Sequence, residues 1–128
     1  MQVALGPWVE AVAAGVERVD APGGLASVLA AADLVVSAGG VTMLEACVLG
    51  RPTVAVAVAE NQRAAVRALG AGGAVAVAEL ATALDTTVRL IDADSERAAL
   101  GEIARATVDG RGAERVAAAI VELWDGAG

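Results

Sequence analysis

The chain has 128 residues, with 9 Lys+Arg against 16 Asp+Glu and a formal net charge of -7. That length fits one domain, since domains usually run to roughly 100–200 residues and a chain of this size buries about two thirds of its unfolded surface. The hydrophobic fraction of 57% does not make a membrane protein, because the longest uncharged stretch, residues 21–32, falls short of the ~20 apolar residues a span needs.

Taken in chain order, residues 2–5 form a brief apolar run halted by Gly6-Pro7, and residues 16–19 form a second, weaker strand closed by the turn Asp20-Ala21-Pro22-Gly23-Gly24. Leu25, Val28, Leu29 and Ala32 then fall at i, i+3, i+4 and i+7, which is one face of a helix. Residues 34–37 are a continuous apolar strand running straight into Gly39-Gly40. Residues 41–49 read as a helix with Leu44 and Val48 inward, ended by Gly50, Arg51 and Pro52.

Residues 53–58 are the clearest strand. Valine alternates with alanine, so both faces are apolar and the strand belongs inside a parallel sheet. Glu60-Asn61-Gln62 opens the next helix, with Ala65, Val66 and Leu69 inward and Gly70 as its stop; residues 74–77 are a short fifth strand. Beyond it the chain is helical over residues 79–84 and 86–91, then from Ser95 as N-cap to Thr107. A last helix over residues 113–124 puts Val116, Ile120 and Leu123 on one stripe. Strand–helix alternation with doubly apolar strands predicts an α/β fold, a Rossmann-like parallel sheet flanked by helices. Such sheets bind ligands beyond the carboxyl ends of their strands.

The composition narrows the chemistry further. All nine basic residues are Arg, and Lys, His, Phe and Tyr are absent. Without His, the commonest general base and metal ligand is missing, and a lone Cys47 makes neither a zinc cluster nor a disulfide. No metal or cofactor is expected. A reducing cytoplasm fits that cysteine usage, and residues 1–10 lack the basic start and leucine-rich core of a signal peptide. An acidic chain with two aromatics, Trp8 and Trp124, is a poor nucleic-acid binder.

Three groups carry candidate chemistry. Ser37-Ala38-Gly39-Gly40-Val41-Thr42 is a glycine turn between a buried strand and a helix. It serves either as a tight turn or as an anion cradle, with glycine letting backbone N–H groups approach a phosphate and Thr42 adding a hydroxyl. Glu45, one turn further along, suits the paired hydroxyls of a ribose, or is simply an acid favoured by the helix dipole. Glu60, Asn61 and Gln62 stand at the end of the best strand. They either cap a helix or face a cleft beside Gly39 and Gly40. Asp109-Gly110-Arg111-Gly112-Ala113-Glu114-Arg115 reads as a polar turn between helices. Cys47 packs as a small hydrophobe. Trp8 lines a rim or packs, and Trp124 is a packing anchor or a contact to something outside the chain.

Residues 32–42, then Glu45 and Leu49-Gly50-Arg51-Pro52, resemble the nucleotide-binding signature in the C-terminal domain of GT-B glycosyltransferases. Ala59-Glu60-Asn61-Gln62 and the Asp109-to-Val116 segment are similar to the PseG-type branch, UDP-sugar hydrolases of pseudaminic acid synthesis, and to related spore-coat polysaccharide proteins. The resemblance runs from about Val3 to Leu123. It implies that Gly39, Gly40 and Thr42 face the pyrophosphate of UDP and that Glu45 holds the ribose hydroxyls. It also implies that Glu60, Asn61 and Gln62 line the diphosphate and sugar end, with the loop near Val19 and Asp20 beside the base.

In that family a separate N-terminal domain supplies the histidine active in hydrolysis, and this chain has no His. It aligns from the family's second strand, ending in Gly-Pro, so the usually central first strand has no counterpart. The expectation is therefore a partial C-terminal GT-B domain that binds the nucleotide of a UDP-sugar, with no catalytic residue of its own. The intact parent would hydrolyse or transfer from the sugar without a metal. Its partner would be an N-terminal catalytic domain, a separate chain or a second copy. The alternatives are a non-catalytic donor-binding subunit of a two-chain glycosyltransferase, or a degenerate Rossmann-like interaction domain.

Overall fold

The computed structural model describes residues 2–4 and 14–126; Leu5, Gly6, Pro7 and Trp8 lie outside the described residues. Among the described residues, five strands and six helices follow in order. They are β1 (Gln2–Ala4), β2 (Glu17–Val19), α1 (Ala26–Ala31), β3 (Val35–Ala38), α2 (Val41–Val48), β4 (Thr53–Val56), α3 (Arg63–Ala71), β5 (Ala76–Ala78), α4 (Ala83–Ile91), α5 (Asp94–Thr107) and α6 (Gly112–Gly126). Single 3-10 turns, Glu60–Gln62 and Leu80–Thr82, lead into α3 and α4.

The pairing is parallel throughout. β1 pairs with β2, Gln2 opposite Glu17, while β3, β4 and β5 form a separate sheet in that order. Val35 lies opposite Thr53, and Val54 opposite Ala76. β4 is the centre, and Thr53, Val54, Ala55 and Val56 are all buried, as its doubly apolar sequence requires. Its two faces divide the core. Ala55 packs with Met43 and Cys47 of α2, Val66 of α3, and Ala104 of α5. Val54 and Val56 pack with Leu90 of α4 and Leu100 of α5. A third cluster, Leu29, Val35 and Ala46, seats α1 and α2 on β3. The domain is thus an α/β fold with helices on both faces of a three-stranded parallel sheet, a Rossmann-like arrangement.

Several expectations need correction. In α2 the inward residues are Met43, Ala46 and Cys47, whereas Leu44 is 40% exposed and Val48 half-buried. This helix sits between the sheet and α5, and the face it turns to them carries Met43 and Cys47 into the cluster of Ala55, Val66 and Ala104, with Ala46 against β3. Ala65 is exposed on α3. Gly70 does not stop that helix but lies within it, where a Cβ would run into the side chain of Val77. The stop comes at Gly72 and Gly73, the latter with φ +74°. Ser95 is inside α5, which is entered through Ala93. α6 buries none of its residues, and its apolar stripe, including Trp124 at 82% exposure, faces solvent. Among the described residues no helix is long and apolar enough to cross a membrane.

Candidate functional site

The carboxyl ends of β3 and β4 lie side by side, and the turns that leave them interlock. Gly39 donates its N–H to the Val56 carbonyl at 3.0 Å, and Gly40 donates to Ala38 at 2.8 Å. Both glycine amides are therefore spent inside the fold, and neither is free for an anion. The glycine at 39 answers a packing demand. A Cβ there would strike Val66 of α3 and stand 3.1 Å from the Gln62 Cβ. At Gly40 the space is open, with the Gln62 carboxamide nitrogen 4.0 Å from where a Cβ would be.

The donors that remain belong to the first turn of α2. No side chain caps that helix. The amides of Val41 and Thr42 therefore lack intrahelical acceptors, as the opening amides of any helix do. Thr42 is half-buried, with no hydrogen-bond partner among the described residues. Gln62 accepts the Val58 N–H through Oε1 at 3.0 Å, which fixes its carboxamide and leaves Nε2 to donate beside Gly40. Gly39, Gly40 and Gln62 thus converge, and Thr42 follows in the first turn of α2. Glu60 turns away to pair with Arg63 at 2.7 Å, and Asn61 is exposed without a partner among the described residues.

Glu45 faces a neighbouring groove of about 610 Å³. Val41, Leu44 and Val48 share its helix face, and the opposite wall is built by Val108, Asp109 and Arg115 from the α5–α6 junction. Val41 and Glu45 are one turn apart, about 6 Å along the axis, so the groove continues from the free amides of α2. Asp109 organises the far wall. It accepts the Arg111 N–H at 3.0 Å and a two-pronged pair from Arg115, Nη1 at 3.0 Å and Nη2 at 2.6 Å. The Arg111 amide, with Arg115 and Arg111 nearby, holds the Asp109 carboxyl below its ordinary range.

By its residue chemistry alone this segment is a polar turn. That a tertiary fold would carry Arg115 to Glu45's groove has no local signal. Burial pushes the Cys47 thiol up, in keeping with its place in the core rather than at a site. Among the described residues no three His, Cys, Asp or Glu are grouped to hold a metal ion. Compared with family models, curated proteins and solved structures, the chain matches none of them.

Proposed function

We propose that this chain binds the nucleotide part of a UDP-sugar, as the donor-side half of a PseG-like, GT-B-type hydrolase or glycosyltransferase. The observation that carries the reading is the continuity of three groups along one edge. The Gln62 carboxamide stands beside Gly40, the opening amides of α2 and the Thr42 hydroxyl follow directly in the chain, and Glu45 lies one helical turn beyond Val41 in the same groove. The amides, hydroxyl and carboxamide are all donors, suited to phosphate oxygens at the positive end of a helix. Glu45 is the acceptor, suited to two ribose hydroxyls, and the apolar wall of Val41, Leu44 and Val48 offers a flat surface.

Binding donors of this kind steady a departing diphosphate in the intact protein. In this reading the histidine that the resemblance implies for hydrolysis comes from another domain or chain, since this chain has no His. The exposed apolar stripe of α6 favours a second version of the same reading, in which the chain is a non-catalytic donor-binding subunit docked on a catalytic partner.

Calorimetric titration with UDP tests the reading. Saturable binding is expected, weakened by about 1–3 kcal/mol in Glu45→Ala, the usual cost of leaving a ligand's polar groups unpaired. Absence of binding at millimolar UDP, or an unchanged affinity in Glu45→Ala, refutes it. The isolated chain is expected not to hydrolyse UDP-sugars, and turnover would overturn that assignment.

A further inference from the structure

A second cleft, of about 430 Å³, opens at the other end of the sheet. It lies where Asp33 precedes β3 and Gly50, Arg51 and Pro52 precede β4, and α5 closes it along one face. The approach of α5 is unusually close. A Cβ on Gly101 would stand 2.5 Å from the Gly50 carbonyl oxygen, and Gly50 itself has φ +65°. Two glycines that touch backbone to backbone form the floor, and arginines rise around it.

The arginines are not all alike. Six of the nine in the chain, Arg18, Arg63, Arg89, Arg97, Arg111 and Arg115, are salt-bridged to a carboxylate. Of the three with no carboxylate partner among the described residues, Arg51, Arg67 and Arg105, two line this cleft. In a chain of net charge -7, acidic partners are plentiful, so two bare guanidiniums in one cleft are conspicuous. Arg51 is half-buried and gives Nη1 to the Ala32 carbonyl at 3.4 Å, while its Nε is buried with no partner. A buried donor without an acceptor costs free energy that a missing oxygen would restore. Nη2 also has no partner among the described residues, and it shares with Nε the edge of the planar fork that can grip two oxygens of one anion.

Arg97, the third arginine here, is consumed by Asp94 and the Leu90 and Ile91 carbonyls. Asp33 and Glu102 stand exposed on the rim. They repel a polyanion and leave room for a compact one.

We propose that this cleft is an oxyanion site, taking a small molecule with a single carboxylate or phosphate group held by Arg51 and Arg105. It is separate from the nucleotide groove, at the opposite ends of the same strands, and does not depend on that reading.

The test is two-dimensional NMR of the full chain at constant ionic strength. The arginine Nε–Hε resonances and the Gly50 and Gly101 amides are followed during titration with acetate, with inorganic phosphate and with chloride. Saturable shifts at Arg51, Arg105 and both glycines are expected with acetate or phosphate and not with chloride, and the stronger of the two identifies the group bound. Arg105→Gln, an exposed position, should weaken binding about tenfold, as loss of a charge-assisted pair does. Arg51→Lys keeps a cation for Ala32 but removes the fork, and should weaken it similarly. Glu102→Gln should strengthen it a few-fold. No saturable shift by about 50 mM of either probe, which corresponds to a binding free energy of only about -2 kcal/mol, overturns the site. Equal shifts with chloride, or Arg105→Gln without effect, do the same.

Discussion

Gly39 shows how a residue chosen for one reason is held by another. Glycine before a helix suggests an anion cradle, yet its amide is bound to Val56 and its missing side chain makes room for Val66, which is 2% exposed. Gly39→Ala should therefore cost about 1–3 kcal/mol in urea unfolding, the usual effect of overpacking, and Val66→Ala in the same chain should recover part of it. If Gly39→Ala leaves the unfolding midpoint unchanged, the contact is not a constraint. Cys47 makes a cleaner case. The chain has no His, Lys or Tyr, so between pH 8.5 and 11 Cys47 is the one side chain that titrates in the unfolded state. Burial raises its value in the folded state. Above the ordinary thiol range, about 8.5, the unfolded chain loses a proton that the folded chain keeps. The stability associated with the protonated thiol is complete below that range and declines as pH rises toward the folded value. Unfolding midpoints compared at pH about 8 and about 10 should show this decline, and Cys47→Ala should remove it.

Among the elements, helices on the sheet and helices off it obey different rules. β4 was legible because its doubly apolar sequence and its burial agree over Thr53–Val56, although Val58, read into the same strand, lies beyond it and is exposed, and α5 was legible as a helix running to Thr107. α2 was legible as a helix but not in its orientation: Met43, Leu44, Ala46, Cys47 and Val48 are apolar nearly all round, so periodicity alone does not choose a face. The choice falls to tertiary packing, which takes Met43 and Cys47 into the cluster with Ala55, Val66 and Ala104 and Ala46 against β3. α6 is the reverse. Its stripe of Val116, Ile120 and Leu123 was plain in the sequence, yet nothing among the described residues covers it. Leu90→Ala, in the core, should cost about 2–5 kcal/mol, while Leu123→Ala should change stability by less than about 0.5 kcal/mol. Equal effects from the two, measured by urea unfolding, would mean that α6 is packed in solution. The Gly39–Gln62 meeting was predictable because adjacent parallel strands deliver their exit turns to one edge. The Arg115–Glu45 groove was not, since it depends on where α5 ends relative to α2.

For the whole molecule, alternation of strands and helices announces a parallel α/β fold, but it does not say which strands pair. Pairing is set by contacts far apart in the chain, which is why the division into β1–β2 and β3–β4–β5 is visible only in three dimensions. Two clefts at opposite ends of the larger sheet follow from that geometry, one lined by donors and a carboxylate, the other by arginines. The same parallel pairing has a kinetic consequence. From Val35 to its partner Thr53 is 18 residues (53 − 35), and from Val54 to Ala76 is 22 (76 − 54). Each of these pairings must close a loop holding a helix before its first ladder bond forms, and that entropy is spent before any contact repays it. Since β4 is buried on both faces, its neighbours gain little until all three strands and their crossovers are in place. The complete sheet is therefore expected to form only after residues 76–78 of β5 have been synthesised.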